Sequence, residues 1–76
     1  MSSIDALLAR SRDRRRLPEP AIRKHIRERA QLSQADVAAA LGVDRATVSR
    51  YESGSRQPRG AHLDAYLQVL DRLVAE

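Results

Sequence analysis

Cysteine is absent from the 76-residue chain, which rules out a disulfide framework, a thiolate metal site and a thiol nucleophile. Tryptophan and phenylalanine are missing too, so Tyr51 and Tyr66 are the only aromatic side chains. No apolar run approaches the roughly 20 residues needed to span a bilayer, and the first residues lack the ordered zones of a secretory signal. Alternating period-two runs are also lacking, so strands are not expected. His25 and His62 lie 37 positions apart with no pairing of carboxylates around them. With no nucleophile and base pair and no phosphate-cradling loop either, neither a metal, a cofactor nor an enzymatic activity is expected. These absences lead us to expect a soluble, cytoplasmic, non-enzymatic protein without membrane attachment.

What is abundant is arginine. Thirteen of the fourteen basic residues are Arg and the net charge is +4, a balance suited to a polyanionic partner and to bidentate contacts with phosphate or guanine. The charge is uneven. Residues 1–17 carry +3, 18–42 carry +1, 43–60 carry +2 and 61–76 carry −2, so positive charge gathers in the first 17 residues and over 43–60, away from the C-terminal segment. A chain this short buries only about 60% of the surface its unfolded form exposes, so association with a second copy would add stability.

Helical spacing dominates the apolar pattern, and an all-α bundle of four or five helices is expected. Ile4, Leu7 and Leu8 share one face of a helix from about Ser3 to Arg12, and the charged run Arg10 to Arg16 follows. Pro18 and Pro20 mark a boundary and favour a helix start, which divides the chain into a basic extension, 1–17, and a domain, 18–76. A helix over about 19–30 is expected to turn Ile22, Ile26 and Ala30 inward. Two short helices over 33–41 and 45–52, a turn-rich loop over 53–60 and a last helix over about 61–75 complete the domain. Leu63, Tyr66, Leu67, Leu70, Leu73 and Val74 form a stripe on that last helix, with Val69 at its edge. The stripe is wider than one side of a small core needs, which nominates Tyr66, Leu70, Leu73 and Val74 as a face for a twin subunit.

Residues 33–54 carry the chemistry. Ser33 and Asp36 form a capping box at the entry of the first short helix, and Val37, Ala38 and Leu41 lie on its inner face. Gly42 ends it where a positive φ suits a residue without Cβ, and Asp44 caps the second helix almost at once. Val48 and Tyr51 mark the buried side of that second helix, leaving Arg45, Ala46, Ser49 and Arg50 on the outer arc. An α-helix fits the major groove, where each guanidinium fork can match O6 and N7 of guanine and a methyl group can meet thymine. Arg45, Ala46, Ser49 and Arg50 are therefore the expected base readers. Gln34, at the amino end of the first helix, is placed to grip a phosphate together with free backbone amides. Thr47, Arg56 and Arg59 are further expected phosphate ligands.

This segment resembles the helix-turn-helix of the Cro/CI, or Xre-like, family of bacterial and phage repressors. Gln34, Ala38, Gly42, Val48, Tyr51 and the Glu52 to Gly54 exit match its pattern, as do Ile22, Ile26, Arg27 and Leu32 upstream and Pro58 downstream, over roughly residues 20–70. The resemblance implies a lambda-repressor-like fold and a sequence-specific regulator that binds a near-palindromic double-stranded DNA operator as a homodimer. It implies a phosphate-gripping role for Gln34 and a partly buried structural ion pair between Arg27 and Glu52. A departure accompanies it, because the last helix continues where the family pattern turns into a fifth helix, so the family's dimer interface does not transfer. The other reading of the same residues is a protein-interaction module, an antitoxin or antirepressor that keeps the fold. The extension could be an arm along DNA phosphates, a docking segment for a protein partner or a solvated tail.

Overall fold

In the computed structural model, the described residues are Ser3, Ile4, Leu7 and 17–75. Ser3, Ile4 and Leu7 are helical, with Ile4 and Leu7 both well exposed. Leu8, the third residue of the expected apolar face, and the Arg10 to Arg16 run lie outside the described residues. The remainder folds into four helices: α1 (Pro20–Arg29), α2 (Gln34–Leu41), α3 (Arg45–Ser53) and α4 (Gly60–Ala75). No strand occurs among the described residues, and none of their helices is long and apolar enough to cross a membrane.

Local chemistry explains where these helices begin and end. Pro20 opens α1 with φ already set and no amide to satisfy. The helix closes through Gln31 at φ +58, with the Leu32 amide donating back to the Arg27 carbonyl, the six-to-one bond of a left-handed helix end. The Ser33 hydroxyl accepts from the Asp36 amide at 3.0 Å and the Asp36 carboxylate accepts from the Ser33 amide at 2.8 Å, so both halves of the expected capping box are made. Gly42 (φ +73) ends α2 in the left-handed region. Two residues later Asp44 accepts from the Thr47 amide at 2.8 Å and starts α3.

The core forms where α2, α3 and α4 meet. Val37, Ala38 and Leu41 from α2 pack with Val48 and Tyr51 from α3 and Tyr66 and Leu70 from α4. The two tyrosine rings lie 5.4 Å apart between centroids, a separation typical of favourable tilted aromatic pairs. Small Ala38, 3% exposed, lets α2 and α3 approach closely.

Two expectations require correction. Ile22 does not face inward: it is 49% exposed, and Arg23 occupies the inner position at 4%. The inward stripe of α1 runs through Arg23, Ile26, Arg27 and Ala30, spaced i, i+3, i+4, i+7, because buried carbonyls nearby demand donors. The proposed twin-subunit face also divides. Tyr66 and Leu70, 1% and 4% exposed, are consumed by the monomer's own core, whereas Leu73 is half-buried and Val74 is 67% exposed.

Candidate nucleic-acid interface

The outward arc of α3 carries Arg45 and Arg50, both exposed, with half-buried Ala46 and Ser49 between them. The opposite face holds Val48 (0% exposed) and Tyr51 (2%), so the packing of α3 leaves the four expected readers on its free side. Arg50 makes no side-chain hydrogen bond among the described residues and is available to a ligand. Arg45 is already oriented: its guanidinium donates to Gln34 Oε1 at 3.2 Å.

Gln34 links that reader to the interior. Its amide nitrogen donates to Glu52 Oε1 at 3.1 Å, while Arg27 grips the same carboxylate through Nε (2.6 Å to Oε2) and a terminal nitrogen (3.0 Å to Oε1). Arg27 also donates to the Leu32 carbonyl at 2.9 Å. Burial alone would push the Glu52 carboxyl up, but the hydrogen bonds from Arg27 and Gln34 outweigh it and hold the group below the usual range. The bond to Glu52 raises Arg27 above its ordinary value. A continuous chain Arg27, Glu52, Gln34, Arg45 thus runs from the core to the surface of α3.

Thr47 is placed differently from its expected phosphate role. It is buried at 9%, and its hydroxyl donates to Asp44 at 2.6 Å, so it completes the cap of α3. The hydrogen bonds from Thr47 hold the Asp44 carboxyl low. Arg56 and Arg59 are exposed in the loop beyond α3.

A family model described as helix-turn-helix matches residues 24–75. The chain belongs to this family, in its Cro/CI, Xre-like form. It is a DNA-binding helix-turn-helix regulator. No curated protein and no solved structure matches the chain significantly.

Within this helix-turn-helix domain, Arg23 is the residue that sequence reasoning passed over. Its Nε donates to the Pro18 carbonyl at 2.6 Å and a terminal nitrogen donates to the Tyr51 carbonyl at 3.0 Å. Tyr51 belongs to the last turn of α3, where carbonyls have no partner within the helix and a cation is favoured. Desolvation lowers the Arg23 guanidinium from its ordinary value. The available signal was spacing: Arg23 stands at the head of the same face as Ile26, Arg27 and Ala30. Among the described residues, no group of three or more His, Cys, Asp or Glu could hold a metal.

Proposed function

We propose that the chain is a repressor or a phage- or plasmid-type control protein that acts in the cytoplasm as a homodimer on a near-palindromic operator. Residues 18–76 are its DNA-binding domain, and 1–17 a basic extension available to DNA phosphates or a protein partner. Arg45 and Arg50 read guanine edges, Ala46 meets a thymine methyl and Ser49 adds an unspecific polar contact. Gln34, Arg56 and Arg59 hold phosphates and set the register without reading sequence. Leu73 and Val74 are the part of the α4 stripe left for the twin subunit.

The observation that carries this reading is the orientation of α3, with both arginines exposed on one arc and its apolar side sealed in the core. Selection of random duplexes on the purified protein tests it. The expected result is a pair of inverted half-sites containing G·C pairs, centred about one helical turn or 34–36 Å apart. Enrichment of A·T half-sites alone would remove the arginine assignments, and no enrichment would remove sequence-specific binding.

A further inference from the structure

A cleft of about 950 Å³ lies where the extension meets the domain. Its walls come from that junction, from the start of α1 and from the loop between α3 and α4. Leu17, Pro18, Pro20, Pro58 and Leu63 make them mainly apolar. A volume and lining of this kind suit a small molecule held by a few placed polar groups. Arg45, Ala46, Ser49 and Arg50 do not line the cleft, so it is separate from the outward arc of α3.

Of the charged residues that line it, only Arg23 is buried; Glu19, Arg59 and Asp64 are exposed at the rim. The partners of the Arg23 guanidinium are carbonyls, Pro18 through Nε and Tyr51 through one terminal nitrogen. No carboxylate lies within ion-pair distance of it among the described residues, and Glu19 acts on it only at longer range. The other terminal nitrogen makes no hydrogen bond among these residues. It is not fully enclosed either, since Tyr66 Oη is the only enclosed side-chain nitrogen or oxygen without a partner among them. This nitrogen therefore keeps some access to open space, and the cleft is open space that Arg23 lines. A buried cation without a counter-ion is costly, and a bound anion relieves that cost.

Two helices also start on the cleft, α1 at Pro20 and α4 at Gly60. Glu19 gives α1 no side-chain cap, so the positive ends of two macrodipoles add to the attraction for an anion. The rim limits that anion's charge. Glu19 and Asp64 balance Arg23 and Arg59, so a second negative charge meets no spare cation and a phosphate dianion is disfavoured. We propose that this cleft is a small-molecule site for an organic monocarboxylate with an apolar body, its carboxylate held by the free end of Arg23 and its body covered by Leu17, Pro20, Pro58 and Leu63. The site does not depend on the DNA-binding reading. Its ligand would meet the same guanidinium that holds the Tyr51 carbonyl in the last turn of α3.

Titration of the 76-residue chain with hexanoate, followed by NMR, tests the proposal. The Gly54, Gly60 and Leu63 amides and the Arg23 Nε–H should move saturably, with a dissociation constant on the order of 1 mM for so small a ligand. The His25 and Val74 amides, in the groove between α1 and α4, should stay still. Acetate lacks the apolar body and 1-hexanol lacks the charge, and each should bind at least about tenfold more weakly. Equal binding of hexanoate and 1-hexanol overturns the proposal. So does inorganic phosphate that moves the same signals as strongly as hexanoate, or hexanoate that moves none of them selectively.

Two variants locate the ligand. Leu63→Gln alters a half-buried wall position outside the core cluster, so it should weaken hexanoate several-fold with an unchanged circular dichroism spectrum, and undiminished affinity overturns the placement. Arg23→Met should erase the preference for hexanoate over 1-hexanol, and a preference that persists removes Arg23 as the anchor. If Arg23→Met fails to fold, the ligand comparison on the wild type and the Leu63→Gln result decide the matter without it.

Discussion

Glu52→Ala tests how α3 is held. The Glu52 side chain is 4% exposed and that of Arg27 11%, and the carboxylate accepts two hydrogen bonds from Arg27 and one from Gln34. Its removal leaves the Arg27 guanidinium nearly buried with only the Leu32 carbonyl as partner. Stranding one member of a buried pair costs about 3–5 kcal/mol, and the residual Leu32 bond puts this case near about 3 kcal/mol. A chain of this length has a total stability of about 4–11 kcal/mol, so the variant should unfold at far lower urea, with its melting temperature down by about 12 °C or more. Urea titration followed by far-ultraviolet circular dichroism measures the loss, and an unchanged m-value shows that the unfolded state is not the cause.

The double variant Arg27→Met, Glu52→Leu sharpens the argument. Replacing both charges by apolar groups of similar volume is often neutral or stabilising, so the double variant should be more stable than Glu52→Ala although it carries more changes. A loss under about 1 kcal/mol for Glu52→Ala, well below the cost of an unpaired buried charge, would refute the reasoning. So would a double variant less stable than the single one.

Four other outcomes are open to measurement. Tyr66 buries its hydroxyl without a partner among the described residues, so Tyr66→Phe should stabilise by about 1 kcal/mol; because burial has pushed the phenol from 10.0 up to about 12, the wild type should lose further stability as pH rises through that interval, and the variant's advantage should widen there. Glu52, Asp36 and Asp44 are all held below their ordinary values of 4.5 and 3.8, so their contribution is complete above that range and lost as pH falls through it, with Glu52→Gln showing the shallower acid transition. Gly42→Ala meets no atom within 4 Å whereas a Cβ on Gly54 lies 3.2 Å from the Pro20 ring; both should cost about 1–2 kcal/mol for a left-handed φ, and a Gly54→Ala loss no larger than that at Gly42 would show that α1 yields freely. Arg50→Ala should cost about 1–3 kcal/mol mainly on the selected operator, while Arg56→Ala should weaken operator and random DNA alike and flatten the salt dependence, and equal losses for Arg50→Ala on both duplexes would remove it as a reader.

The caps of α2 and α3 were legible because they are local: Ser33 meets Asp36 and Asp44 meets Thr47 three positions away, and a left-handed glycine announces itself by its lack of Cβ. What escaped depends on partners distant in the chain. Ile22 was expected inside because periodicity weighs apolarity, yet the adjacent position was taken by Arg23, whose reason for burial is a carbonyl 28 residues away. The double engagement of Gln34 was hidden in the same way, since Glu52 is 18 positions distant. The width of the α4 stripe suggested a second subunit, but width does not reveal how many helices of the same chain a face must cover, and α4 packs against both α1 and α2.

These interior contacts also change the meaning of the charge pattern. Arg23 and Arg27, four residues apart on α1, reach adjacent residues of α3, the first taking the Tyr51 carbonyl and the second the Glu52 carboxylate. Two of the four basic groups of residues 18–42 therefore hold the recognition helix from behind and offer little charge to a ligand. Of the seven exposed cations of the described domain, Lys24 and Arg29 lie on α1 and Arg72 on α4, while Arg45, Arg50, Arg56 and Arg59 lie on α3 and the loop that follows it. A modest net charge is thus compatible with a directional surface, because Arg23 and Arg27 of α1 serve to orient α3, while Arg45, Arg50, Arg56 and Arg59 on and just after that helix stay exposed.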